Sequence, residues 1–255
     1  MADNGSVVRL PVVDGLGHTL RRDNWWVGPL VTVVVLTAFV VYTTVRMFEG
    51  THYRWGPYLS PLASPYIETK DLGIPLITPA ILVLPFPGLF RLTCYYYRKA
   101  YYRSFGLLPP ACAVGARSPG HYNGERKLLV FQNLHRYALY VALLFLVFLW
   151  HDFVQSLRWD GELGMGLGSV AIFLNCAFLT LYTLSCHSFR HLVGGSVNSY
   201  SEAPLGGVRH KLWAAVSRLN VDHMAYAWIS LVLVALCDAY IRSVAVGAIQ
   251  DVRIF

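Results

Sequence analysis

Cys94, His135, Cys186, His187, His191 and His223 place thiols and imidazoles at the ends of apolar runs, which makes them candidate metal ligands. Thiolates favour iron–sulfur clusters, zinc or copper, and imidazole adds zinc, copper and haem iron. His187 and His191 stand four residues apart, so on a helix they would share a face and could reach one ion. Cys112, after Pro109 and Pro110, lies in a segment that could fold back over the same region. Polar groups at membrane depth are costly, and that cost points to function. Each residue also has a plain structural reading, since a single histidine near a helix end commonly snorkels or makes a hydrogen bond. Cys176 and Cys237 fall in the middle of apolar runs and read as packing residues.

The elements that must carry these side chains are membrane helices. The chain has 255 residues, 55% of them hydrophobic and 14% charged, against about 25% charged in ordinary soluble domains. A helix needs about 20 apolar residues to cross the hydrocarbon, and five runs qualify: about 27–48, 72–94, 137–153, 166–187 and 225–246. The expected fold is all-α, an integral membrane bundle of five transmembrane helices over residues 27–255, preceded by a polar segment, 1–26, with no cleavable signal pattern. The second run holds Pro75, Pro79, Pro85 and Pro87. It should therefore be bent and packed inside the bundle, where neighbours can satisfy the freed backbone groups.

Alternating spans put residues 95–133 and 188–222 on the side of the N-terminus. Of the 21 Lys and Arg residues, only Arg46, Arg54, Lys70, Arg158, Arg242 and Arg253 fall on the other side, so the positive-inside rule predicts a cytoplasmic N-terminus in a cell membrane. This distribution also accounts for the net charge of +7 without a nucleic-acid partner. The same alternation brings Cys94, His135, Cys186, His187 and His223 to one cytoplasmic depth. The five cysteines include none in a segment expected outside, so structural disulfides are not predicted. No nucleophile elbow, phosphate loop or HExxH is present, which removes support for hydrolase and nucleotide chemistry. The run from Tyr95 to Arg103 is rich in Tyr, Arg and Lys, as suits an interfacial anchor or a surface that docks a cytoplasmic partner.

The stretches CYYYRKAYYRSF (94–105), PPACAV (109–114), FQNLHRYALY (131–140), LYTLSCHSFRHLVGG (181–195) and the segment from Asn220 to Trp228 together resemble the membrane-anchor subunit of actinobacterial-type succinate dehydrogenase, respiratory complex II. The likeness runs from the second span onward. It implies an anchor bound to a flavoprotein subunit and an iron–sulfur subunit, passing electrons from succinate to membrane quinone, with no succinate oxidation by this chain alone.

The resemblance also implies a Rieske-type [2Fe–2S] cluster, whose two irons take two Cys and two His. Cys94 and Cys186 with His135 and His223 are the favoured four. His187 and His191 are a rival pair, and Cys112 could replace either thiolate. A haem b held by two histidines on facing helices is an alternative, and a metal transporter using the same site is another. Quinone needs a place near the metal centre with polar donors at the interface, for which Arg98, Tyr101, Arg136, Arg190 and Trp228 are candidates by depth. Contact with lipid headgroups or with a partner would explain the same residues.

Overall fold

The computed structural model describes residues 15–69, 77–118, 127–159 and 161–255. Residues 1–14 of the N-terminal segment and 72–76 of the second expected span lie outside the described residues. The chain divides into two compact units, Met1–Leu36 with Tyr97–Leu128, and Thr37–Tyr96 with Leu129–Phe255.

Four described helices are long and apolar enough to cross a membrane: α1 (Val27–Glu49), α5 (Leu128–Gln155), α6 (Leu167–Leu184) and α9 (His223–Ala245). They cover four of the five expected runs. Their outward positions are apolar; on α1, for example, Val31, Val34, Val40, Val41 and Val45 are all exposed. A helix apolar on the face that no protein covers is suited to lipid. Helix α5 starts nine residues earlier than the run at 137, because Leu128–Arg136 mixes apolar and polar residues and dilutes the hydropathy without breaking the helix.

The second run differs from the others. Its described part is α2 (Pro79–Val83) followed by α3 (Pro85–Thr93), joined at Leu84. Thr78 caps α2 by accepting from Ile81 N at 3.2 Å, and Pro79 occupies the first turn, where a missing N–H is harmless. Pro85 and Pro87 then start α3, since proline cannot continue the ladder of the preceding helix. The prolines thus divide this segment into pieces shorter than a span. Beyond Cys94 the chain continues through α4 (Tyr95–Ala100) into a π-helical turn, Tyr101–Phe105.

The rest of the second unit comprises two small hairpins, β1–β2 (Arg54–Trp55 with Tyr58–Leu59) and β3–β4 (Arg158–Trp159 with Glu162–Leu163), then α7 (His187–Arg190), a π-helical turn at His191–Gly195, and α8 (Gly206–Asn220). Helices α6 and α9 make the most extensive helix pair. At one end of the bundle the hairpins bring Trp55, Tyr58 and Trp159 together, with Tyr58 and Trp159 edge to face at 5.6 Å. Asp251 closes this end. Its carboxylate accepts from Tyr58 Oη at 2.7 Å, Tyr240 Oη at 2.5 Å and Gly168 N at 3.1 Å. Gly168 is required here, because a Cβ would lie 2.3 Å from the Tyr58 ring.

Two buried charges of the second unit pair with each other. Arg46 on α1 and Asp238 on α9 are buried, and Arg46 Nε donates to Asp238 Oδ2 at 2.7 Å. Tyr42 and Ser60 also donate to this carboxylate, while Arg46 reaches Glu49 at 2.7 Å. Partners of this kind are what a buried charge needs.

In the first unit, the segment after Gly15 pairs with the loop around Gly115: Gly17 N donates to Gly115 O and Gly115 N to His18 O. Thr19 and Arg21 donate to the carbonyls of Ala113 and Cys112. All five cysteines are free thiols, as the sequence predicts.

Candidate functional site

Cys94 and Cys186 each interrupt a helical run. Both adopt extended backbone, with φ −65°, ψ 135° at Cys94 and φ −64°, ψ 142° at Cys186. The break turns each side chain out of the helical path, and both residues are buried. Cys186 also serves as the N-cap of α7, its sulfur accepting from Ser188 N at 3.3 Å.

Two histidines from other helices meet these sulfurs. His135, on α5, places Nε2 3.1 Å from Cys186 Sγ, and His223, the first residue of α9, places Nε2 3.9 Å from Cys94 Sγ. The opposite ring nitrogens are held by hydroxyls: His135 Nδ1 lies 2.9 Å from Thr93 Oγ1, and His223 Nδ1 lies 2.7 Å from Ser185 Oγ. Both rings are buried and stacked, His135 on Phe90 at 4.5 Å and His223 on Tyr182 at 5.2 Å. Phe90 and Tyr182 are 5.3 Å apart, so four aromatic rings run without interruption from one histidine to the other.

Beside these rings is a cavity of about 170 Å³, lined by Phe39, Phe90, Arg91, Phe145, Leu146 and Tyr182 among others. Among the described residues, Arg91 is the one charged residue in its lining. Its guanidinium donates to Ala227 O and Ser230 Oγ and lies 5.0 Å from the centre of the Tyr182 ring.

The structure therefore brings together four of the seven candidate ligands. His187 and His191 are exposed, on α7 and the turn after it. Cys112 belongs to the first unit and is exposed, with Arg103 Nη1 3.9 Å from its sulfur. Among the described residues, no three His, Cys, Asp or Glu side chains converge tightly enough to form a closed site for one ion; the four donors meet as two Cys–His pairs.

Of the residues predicted for quinone, Arg98 and Tyr101 lie in the first unit, Arg98 buried. In the second unit Arg136 is exposed, Trp228 is half-buried, and Arg190 stacks on Trp213 at 4.6 Å while donating to Ser217 Oγ. None of the five lines the cavity. Sequence reasoning missed Phe90, Arg91, Thr93, Tyr182 and Ser185. The signal that could have found four of them is the similarity of Phe90-Arg91-Leu92-Thr93-Cys94 to Tyr182-Thr183-Leu184-Ser185-Cys186.

Residues 27–247 match the family model described as actinobacterial succinate dehydrogenase subunit SdhC. The chain belongs to this family. It is thus a membrane subunit of succinate dehydrogenase, as the sequence motifs imply. It is also similar to a chain of the solved structure "Mycobacterium smegmatis Sdh1 complex in the apo form", at 39% identity over 98% of both chains with a TM-score of 0.81. No curated protein matches it.

Proposed function

We propose that this SdhC-family subunit is the anchor through which electrons from a cytoplasmic iron–sulfur subunit, itself fed by a flavoprotein subunit, reach membrane quinone. On this reading Cys94, Cys186, His135 and His223 hold a Rieske-type [2Fe–2S] centre. The observation that carries it is the burial of two thiols and two imidazoles in one place, each imidazole turning Nε2 to a sulfur and Nδ1 to a hydroxyl. The donor set fits such a centre in kind and number. A centre of that kind supplies one-electron transfer, at a potential raised by its histidine ligands.

The chain's own residues do the rest. Phe90 and Tyr182 stack on the histidines and line the cavity, which places a mostly apolar space one ring away from each ligand. That space suits a quinone ring, and Arg91 supplies the one cation beside it to favour charge developing on a quinone oxygen. Tyr101, Arg136, Arg190 and Trp228 then serve as contacts to lipid headgroups and partner subunits. The excess of Lys and Arg in the N-terminal segment and the two adjoining loops supports a cytoplasmic N-terminus in the cell membrane, with α2 and α3 as the described part of the second of five spans.

The test is the replacement of His135 or His223 by alanine in the intact complex. Quinone reduction should be abolished while succinate oxidation by a soluble acceptor continues; equal loss of both activities would reject the reading.

A further inference from the structure

The two cysteines sit in equivalent surroundings. Phe90, Leu92, Thr93 and Cys94 repeat as Tyr182, Leu184, Ser185 and Cys186. In each copy the aromatic ring stacks on a histidine, the hydroxyl meets Nδ1 of that same histidine, and the cysteine opens the backbone into an extended residue before a short helix and a π-helical turn. The sulfurs cross over. Thr93 and Phe90 hold His135 against Cys186, the thiol of the other copy, and Ser185 and Tyr182 hold His223 against Cys94. The site is thus an exchange between two copies of one motif, each fixing its own imidazole for a centre shared with the other.

Proton bookkeeping gives the hydroxyls a defined role. A threonine or serine hydroxyl has one hydrogen to donate. Thr93 Oγ1 gives its hydrogen to Leu89 O at 2.7 Å, and Ser185 Oγ donates to Tyr182 O at 3.3 Å. With these hydrogens on the carbonyls, each oxygen faces its histidine as an acceptor, an arrangement that puts the ring proton on Nδ1 and leaves the Nε2 lone pair directed at the sulfur side. Asn220 fixes Ser185 further, with Nδ2 2.6 Å from Ser185 O.

We infer that Thr93 and Ser185 are positioning residues that set the tautomer and ring orientation of His135 and His223, so that both histidines bind metal through Nε2. This rests on the [2Fe–2S] reading above. Outer-shell partners of this kind typically carry about 10–100-fold in metal affinity.

Pulsed EPR of the reduced, purified complex tests it, through the nitrogen couplings of a histidine-ligated centre, alongside iron retention under chelator challenge. Thr93→Val should change the couplings of one histidine and Ser185→Ala those of the other, each with roughly 10–100-fold weaker retention. Thr93→Ser and Ser185→Thr should restore both readouts. Thr93→Ala, run in parallel, removes the same oxygen with less bulk should the valine variant fail to assemble. Wild-type couplings and retention in variants lacking the hydroxyls would overturn the inference while leaving the centre intact. A wild-type complex with no nitrogen-coupled signal would overturn the centre, and this inference with it.

Discussion

Arg46 Nε meets Asp238 Oδ2 at 2.7 Å between the first and last membrane helices, with both side chains withdrawn from solvent. Removing Asp238 leaves Arg46 with Glu49 as its carboxylate partner, and breaking a buried pair costs about 3–5 kcal/mol. Asp238→Ala should therefore lower the thermal stability of the detergent-solubilised complex sharply. The double replacement Arg46→Met with Asp238→Leu should recover most of the loss, because it leaves no uncompensated charge. Thermal unfolding of the two variants beside the unaltered complex measures this directly.

The four buried donors and the three exposed or separate ones make opposite predictions for metal content. Cys94→Ser, Cys186→Ser, His135→Ala and His223→Ala should each remove the iron of a [2Fe–2S] centre from the complex. Cys112→Ser, His187→Ala and His191→Ala should leave it in place, since these side chains are exposed. Iron and zinc analysis of the purified complexes checks both halves, and zinc in place of iron would indicate a mononuclear Cys2His2 site instead.

Arg91 separates metal retention from quinone chemistry. It lines the cavity but is not one of the donor residues. Arg91→Met should keep the iron while quinone reduction falls by about 10-fold or more, in line with the loss of one electrostatic contact to a reacting oxygen. Steady-state kinetics with a soluble quinone analogue, beside iron analysis of the same sample, checks it.

Cys176 and Cys237 pack with Leu149, Ile172 and Ile241 in one buried cluster, and Cys176 Sγ donates to Leu149 O at 3.3 Å. Cys176→Ala and Cys237→Ala should leave iron content unchanged and cost about 1 kcal/mol each, the scale of one small buried group. Loss of iron in either variant would contradict the packing role.

The spans were legible because hydrocarbon thickness dictates run length, and four of the five runs fall on long apolar helices. The depth of Cys94, His135, Cys186 and His223 was legible for the same reason, since helix direction alternates with each crossing. Which donors meet was not. His187 and His191 share sequence spacing with a metal-binding pair, yet they follow the break at Cys186 onto a separate short helix, and that break depends on backbone geometry at one residue. Arg91 was not legible as a site residue, because hydropathy shows only a cation at a span end, whereas its direction toward Ser230 and Tyr182 depends on tertiary packing. The start of α5 was missed because helix propensity, not hydropathy, carries Leu128–Arg136.

The clasp at Asp251 has a consequence for the order in which this protein can finish folding. Tyr58 finds its phenol partner 193 residues later in the chain, a stretch that takes roughly 10–40 s to translate at about 5–20 residues per second. Throughout that interval the first hairpin exists without the carboxylate that ties it to α6 and α9. This end of the bundle closes only after every spanning helix has been synthesised, so nascent subunits pass through a window in which quality-control proteases can tell an unfinished chain from a complete one.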